Sequence, residues 1–233
     1  MARLLVLVDE RVKSGRLVGR YGLSLLIDVG QQILFDAGPS PEALEHNAGA
    51  LGVDLSAIEA VIVSHEHSDH VGGLEAVGRH SPYARAYIPY GTWEGLGRLA
   101  RRLGLDPVEV HEDVQVGPGV FVTRSFYGPP FEQFAVLMGR RGPVLISGCF
   151  HPRKEEVLRH VEERYGRPAM LVGGLHLSNA PDEAILRTAR ALAEEFGIKR
   201  VVPLHCSGER AARAMEGLGI EVVKLRAGDE LEV

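Results

Sequence analysis

Residues 65 to 70 read His65-Glu66-His67-Ser68-Asp69-His70, directly after the apolar run Val61-Ile62-Val63 and just before Gly72-Gly73. Four metal-capable side chains, three imidazoles and a carboxylate, fall within six positions. In an extended chain His65 and His67 point the same way, and Asp69 and His70 turn toward a neighbouring point as a helix begins. Imidazole and carboxylate in this mixture suit Zn2+, or Mn2+ or Fe2+ in its place. Four side chains cannot close two metal sites, so further ligands must come from elsewhere. His151, His176 and His205 each follow an apolar run and open a loop: Val144–Ser147, Leu171–Gly174 and Val201–Leu204. Loops at the carboxyl ends of strands are where open α/β sheets build their sites. His46, His80, His111 and His160 lie in helical or polar stretches and read as surface histidines.

Three further residues have two readings each. Asp36 ends Ile33-Leu34-Phe35; it either holds a ligand histidine through its second ring nitrogen or begins a turn before Pro39. Cys149 stands two residues before His151 and is either a thiolate ligand or a small buried filler; for Cys206, beside His205, the filler reading is preferred. The Tyr127-Gly128-Pro129-Pro130-Phe131 stretch reads as a loop that either walls a pocket or crosses the surface.

These residues need strands and helices to position them. Short apolar runs bounded by turn signals predict strands at 4–8, 23–29, 33–35, 60–64, 86–89, 108–110, 120–123, 134–138, 144–147, 169–172, 201–204 and 221–224. Helical patterns cover 41–51, 74–79, 93–103, 152–165, 181–196 and 209–218, with Pro41, Pro152 and Pro181 each suited to a first turn. Gly30-Gln31-Gln32 predicts a tight hairpin. The first half is strand-rich and the second alternates strand with helix, with no linker between them. A layered α/β sandwich forming one domain over 1–233 is expected.

Composition bounds the function. The chain has 233 residues, 45% hydrophobic and 24% charged, with a formal net charge of -5. That balance carries no basic footprint for nucleic acid. No apolar run of membrane-spanning length occurs. Met1 to Val8, followed at once by Asp9-Glu10, reads as a first strand rather than a secretory leader. Only two cysteines are present, which argues against a disulfide framework and for a cytoplasmic protein. The expected partner is a small-molecule substrate.

The His65–His70 motif, preceded by Phe35-Asp36-Ala37-Gly38, resembles the metallo-β-lactamase superfamily of metal-dependent hydrolases. Asn47 with Leu51–Leu55, Gly148–His151, Gly173–Leu177 and Pro203–Gly208 are similar to one branch of it. That branch includes a pterin-condensing synthase of archaeal methanopterin biosynthesis and many uncharacterised bacterial relatives. The resemblance implies an αββα sandwich with a dinuclear centre, two Zn2+ ions in the first instance. It implies His65 and His67 on the first metal, Asp69, His70 and His205 on the second, and His151 completing the first. Two departures stand out. Gly148-Cys149 replaces the usual Gly-Asp pair that supplies a bridging carboxylate, and the histidine expected before that strand is missing. Arg20-Tyr21-Gly22-Leu23-Ser24 also stands where the branch often carries Glu-His-Gly-Leu-Ser.

The leading reading is therefore a hydrolase in which metal-activated water attacks an ester, lactone or phosphoester. Asp69 orients the nucleophile or takes its proton. His176 touches substrate, protonates a leaving group, or hydrogen-bonds from outside the centre. The alternatives are a pterin-condensing transferase and a non-catalytic metal- or ligand-binding module.

Overall fold

In the first strand, β1 (Arg3–Val8), Leu4 and Val6 join one apolar cluster, while Leu5 and Leu7 join another on the opposite face. This period-two division of side chains generates the architecture. The computed structural model describes residues 2–233; Met1, the first residue of the N-terminal run, lies outside the described residues. Strands β2 (Ser24–Asp28), β3 (Gln32–Phe35), β4 (Ile58–Ile62), β5 (Arg85–Pro89) and β6 (Asp106–Val110) extend the sheet from β1. The C-terminal strand, Glu230–Glu232, closes its other edge. From β3 to β6 the pairing is parallel.

A second sheet is built from β7 (Val114–Gly117), β8 (Val120–Val122), and, after the small hairpin β9 (Phe126–Tyr127) and β10 (Phe131–Glu132), from β11 (Ala135–Gly139) and β12 (Gly142–Ser147). Strands β13 (Met170–Gly173), β14 (Arg200–Pro203) and β15 (Glu221–Val222) then add to β12 in parallel. The two sheets pack face to face. Leu4, Phe35 and Ile62 of the first meet Ile146, Val172 and Val202 of the second in a shared core.

The outer faces carry the helices. Helices α1 (Pro41–Leu51), α2 (Ser68–Val71), α3 (Leu74–His80) and α4 (Arg98–Arg102) lie on the chain between strands of the first sheet. Leu44, Val77 and Ala100 bury against Leu26, Leu34 and Val61. Helices α5 (Lys154–Tyr165), α6 (Asp182–Arg190) and α7 (Glu209–Gly217) cover the second sheet, where Leu158, Ile185 and Met215 meet Leu145, Leu171 and Val201. The layers are therefore helix, sheet, sheet, helix, as the resemblance implied. No helix among the described residues is long and apolar enough to cross a membrane.

Local signals were realised unevenly. Pro41 opens α1 behind Ser40, whose Oγ accepts from the Ala43 N–H at 3.2 Å. Pro152 and Pro181 instead precede their helices, which start at Lys154 and Asp182. Gly30 turns the β2–β3 hairpin at φ 84. The Tyr127–Phe131 stretch is the turn of the β9–β10 hairpin rather than a free loop.

Candidate metal centre

The carboxyl ends of the parallel strands in both sheets meet at one edge of the sandwich. Close approach there depends on glycine: a Cβ on Gly148, after β12, would collide with Ser64 Oγ after β4, and one on Gly174 would stand 2.8 Å from Cys206 Sγ. Asp36, Phe150, His176 and His205 all hold positive φ, between 49 and 62, in the loops at this edge. Each costs of order 1–3 kcal/mol that the surrounding contacts must offset, and such strain gathers at functional sites.

On the first sheet's side, β4 delivers a fully buried His65, whose Nε2 lies 3.1 Å from Nδ1 of the exposed His67. The short α2 then presents Asp69 and the buried His70. Asp36, at the end of β3, is buried beneath them. It accepts from the Ser64 N–H and Ser64 Oγ, and lies 2.7 Å from His70 Nδ1. Ser64 Oγ in turn is 2.8 Å from His65 Nδ1. One carboxylate thus orients two histidines, and of the two sequence readings of Asp36 the hydrogen bonds match the first.

On the second sheet's side, Cys149 Sγ stands 3.3 Å from His70 Nε2 and 3.4 Å from Cys206 Sγ. The loop carrying it is held by a residue that sequence reasoning missed. Glu132, fully buried at the end of β10, accepts the N–H groups of Gly148, Cys149 and Phe150 on Oε1 and that of His151 on Oε2. Its signal was a carboxylate between Phe131 and the apolar run Phe134–Met138. Burial pushes its carboxyl above the usual range, and the hydrogen bonds oppose that rise. Asp9 and Glu10 were also missed, although both follow an apolar strand as Asp36 does. Asp9 accepts the His205 N–H at 2.8 Å, and Glu10 Oε1 lies 3.2 Å from His205 Nδ1.

Three groups of donor atoms, each within 4.8 Å, result: His65 with Cys149 and His151; His70 with Cys149 and His205; and Cys149 with His176 and Cys206. Cys149 is common to all three. His67 and Asp69 flank them: the His67 and His151 rings are 5.0 Å apart, and Asp69 Oδ2 is 3.2 Å from His205 Nε2 and 3.6 Å from His70 Nε2. The sequence-predicted ligands His65, His67, Asp69, His70, Cys149, His151 and His205 therefore converge on one edge, with His176 beside them, its ring 4.6 Å from that of His151.

The electrostatics favour cations. Burial, then neighbouring imidazoles, push His65 far down and His151 down to about 4, so both are neutral. Burial alone would raise Asp69, but His205 and His70 outweigh it and hold the carboxyl at about 2. His205 is driven the other way: burial opposes its charge, yet Asp69 and Glu10 raise it to about 10. His151 Nε2 is buried with no hydrogen-bond partner among the described residues, and His205 Nε2 has only the Asp69 carboxylate near it, at 3.2 Å. Buried imidazole nitrogens beside a sulfur and a carboxylate fit a transition metal of the zinc type.

Fold and edge together define a class: an αββα sandwich with histidine, cysteine and aspartate gathered at its strand ends. The model of the metallo-beta-lactamase superfamily matches residues 17–205, and the chain belongs to that superfamily. It is 24% identical to the 7,8-dihydropterin-6-methyl-4-(beta-D-ribofuranosyl)-aminobenzene-5'-phosphate synthase of Methanocaldococcus jannaschii, over 90% of this chain and 88% of that one. It is 29% identical to the probable metallo-hydrolase YqjP of Bacillus subtilis, over 68% of this chain and 53% of that protein. The crystal structure of Tm1679, a metal-dependent hydrolase of the beta-lactamase superfamily, superposes with a TM-score of 0.85 at 26% identity, covering 100% of this chain and 99% of that one.

Proposed function

We infer that the chain is a metal-dependent hydrolase acting on a small ester, lactone or phosphoester. The observation that carries this reading is Cys149, whose sulfur is shared by two histidine groups at the position where the superfamily usually supplies a bridging carboxylate. His65, His67 and His151 would hold one ion and Asp69, His70 and His205 a second, with Cys149 between them. Zinc suits this mixture of nitrogen, sulfur and oxygen. Bound there, such ions acidify water and polarise the scissile carbonyl or phosphoryl oxygen.

The chain's own residues supply the rest. In this reading Asp69, kept as a carboxylate and only partly buried, would accept a proton from an attacking water at Oδ2. Asp36 and Glu10 hold His70 and His205 by their Nδ1 atoms, leaving each Nε2 turned to the centre. Tyr21 packs its ring 4.4 Å from that of His205 and stays 58% exposed, so it borders the approach to the site.

The test is turnover of chromogenic phosphodiester, ester and lactone substrates by the zinc-loaded protein, the chelator-stripped protein and His67→Ala. Loss of roughly 100-fold or more on stripping and in the variant is expected, about 2.7 kcal/mol of transition-state stabilisation. Equal rates in all three samples, or no turnover of any substrate, would overturn the reading. The match to the archaeal synthase along nearly both whole chains favours a second reading, a pterin-condensing transferase. It predicts saturable binding of a reduced pterin, followed by absorbance titration.

A further inference from the structure

Cys206 is the one sulfur at this edge that neither the sequence reading nor the reading above employs. It was expected to be a small buried filler. It is buried as a filler would be, but its nearest partners are polar. Neither cysteine belongs to the apolar clusters that fill the layers, although each is almost fully buried. Cys206 Sγ instead accepts the His176 N–H at 3.3 Å and lies 3.4 Å from Cys149 Sγ. The carbonyl of Cys206 accepts the N–H groups of Leu177 and Ser178, both at 3.0 Å, so the loops carrying His176 and Cys206 are tied together.

We propose that Cys206 is a second sulfur ligand of the metal centre, completing with Cys149 and His176 a sulfur-rich seat for a thiophilic ion. The proposal rests on the metal-centre reading above and extends it to ligands outside the histidine motif. The donor atoms of the three side chains lie within 4.8 Å of one another. Two sulfurs on one tetrahedral zinc, each at about 2.3 Å, stand about 3.8 Å apart, so the observed 3.4 Å needs only a small opening. Two thiolates and one imidazole select zinc, or its mimics cobalt and cadmium, over manganese or magnesium. Because Cys149 also belongs to both histidine groups, an ion in this seat is coupled to the rest of the centre through a shared sulfur. His176 then acts as a ligand rather than as an acid for the leaving group.

Cobalt tests this directly, because thiolate ligation produces a near-ultraviolet charge-transfer band and the chain contains only two cysteines. Stripped wild-type protein, Cys206→Ser, Cys149→Ser and His176→Ala are titrated with Co2+, and band intensity is read per bound cobalt with circular dichroism as the folding control. Cys206→Ser is expected to lose about half the band, and Cys149→Ser to keep a band that only Cys206 can supply. His176→Ala is expected to shift the visible cobalt spectrum, which loss of a mere acid would not do. An undiminished band in Cys206→Ser overturns the proposal and leaves the histidine centre standing. The absence of any bound cobalt in folded wild-type protein overturns both.

Discussion

Asp36 decides the chemistry of His70 without touching the predicted reaction. Its Oδ2 sits 2.7 Å from His70 Nδ1, so the proton stays on Nδ1 and the lone pair of Nε2 faces Cys149 and Asp69. Asp36→Asn keeps the shape and tolerates the left-handed backbone at φ 57. The amide's NH2, a donor only, accepts from neither Ser64 Oγ nor His70 Nδ1, so the imidazole tautomer is no longer held. Zinc affinity is expected to fall by roughly 10–100-fold, measured by competition with a chelating dye. An affinity equal to wild type would show that the tautomer is set elsewhere. This residue was half-legible: a carboxylate at a strand end has few uses, but its partner lies 34 positions away. The contact between Cys206 and Cys149 was hidden for a related reason. Burial is the ordinary fate of a cysteine, and a facing sulfur 57 positions away leaves no mark on local spacing.

At the scale of elements, the loop after β12 is held from below by a hairpin. Strand β10 carries Glu132 under four consecutive N–H groups, and Gly128 in the hairpin turn lies against His151 and Pro152, leaving no room for a side chain. Glu132→Gln preserves volume but turns an NH2 toward at least one of those donors. A destabilisation of about 1.5–3 kcal/mol in urea unfolding is expected, together with weaker zinc binding. Unchanged unfolding and unchanged binding would mean that the loop holds itself. The hairpin was not recognised from sequence because its strands are two residues each, too short for a periodic signal. Pro152, expected to open a helix, is committed to the hairpin contact, and α5 starts two residues later. By contrast α1 was legible to the residue, because Ser40, Pro41 and Gly52 mark its ends chemically.

Across the whole molecule, stability and site share the same carboxylate logic. Asp113 joins parts of the second sheet to its covering helix, accepting from the Arg124 N–H at 2.8 Å and Tyr165 Oη at 2.7 Å and lying 2.9 Å from His160 Nε2. His160 is thus a structural tie and not only a surface histidine. Burial pushes the Asp113 carboxyl up, but its hydrogen bonds with His160, Arg124 and Tyr165 prevail and hold it below the usual range. Because the folded value lies below the unfolded one of about 3.9, the contribution is complete above that pH and is lost as pH falls through the folded value. Asp113→Asn is expected to cost about 1–3 kcal/mol at pH 7, with the gap to wild type closing in urea unfolding as pH falls through the lowered folded value. A gap independent of pH would refute the assignment. By itself the sequence determined the superfamily, the layered sandwich and the histidine-rich half of the site, because strand periodicity and ligand spacing are local properties. Only the tertiary structure decided that Cys149 stands between the histidine groups, that Cys206 faces it, and that Asp9, Glu10 and Glu132 support the loops. Those relations arise where the strand ends of two sheets meet, and no spacing along one chain encodes the distance across that edge.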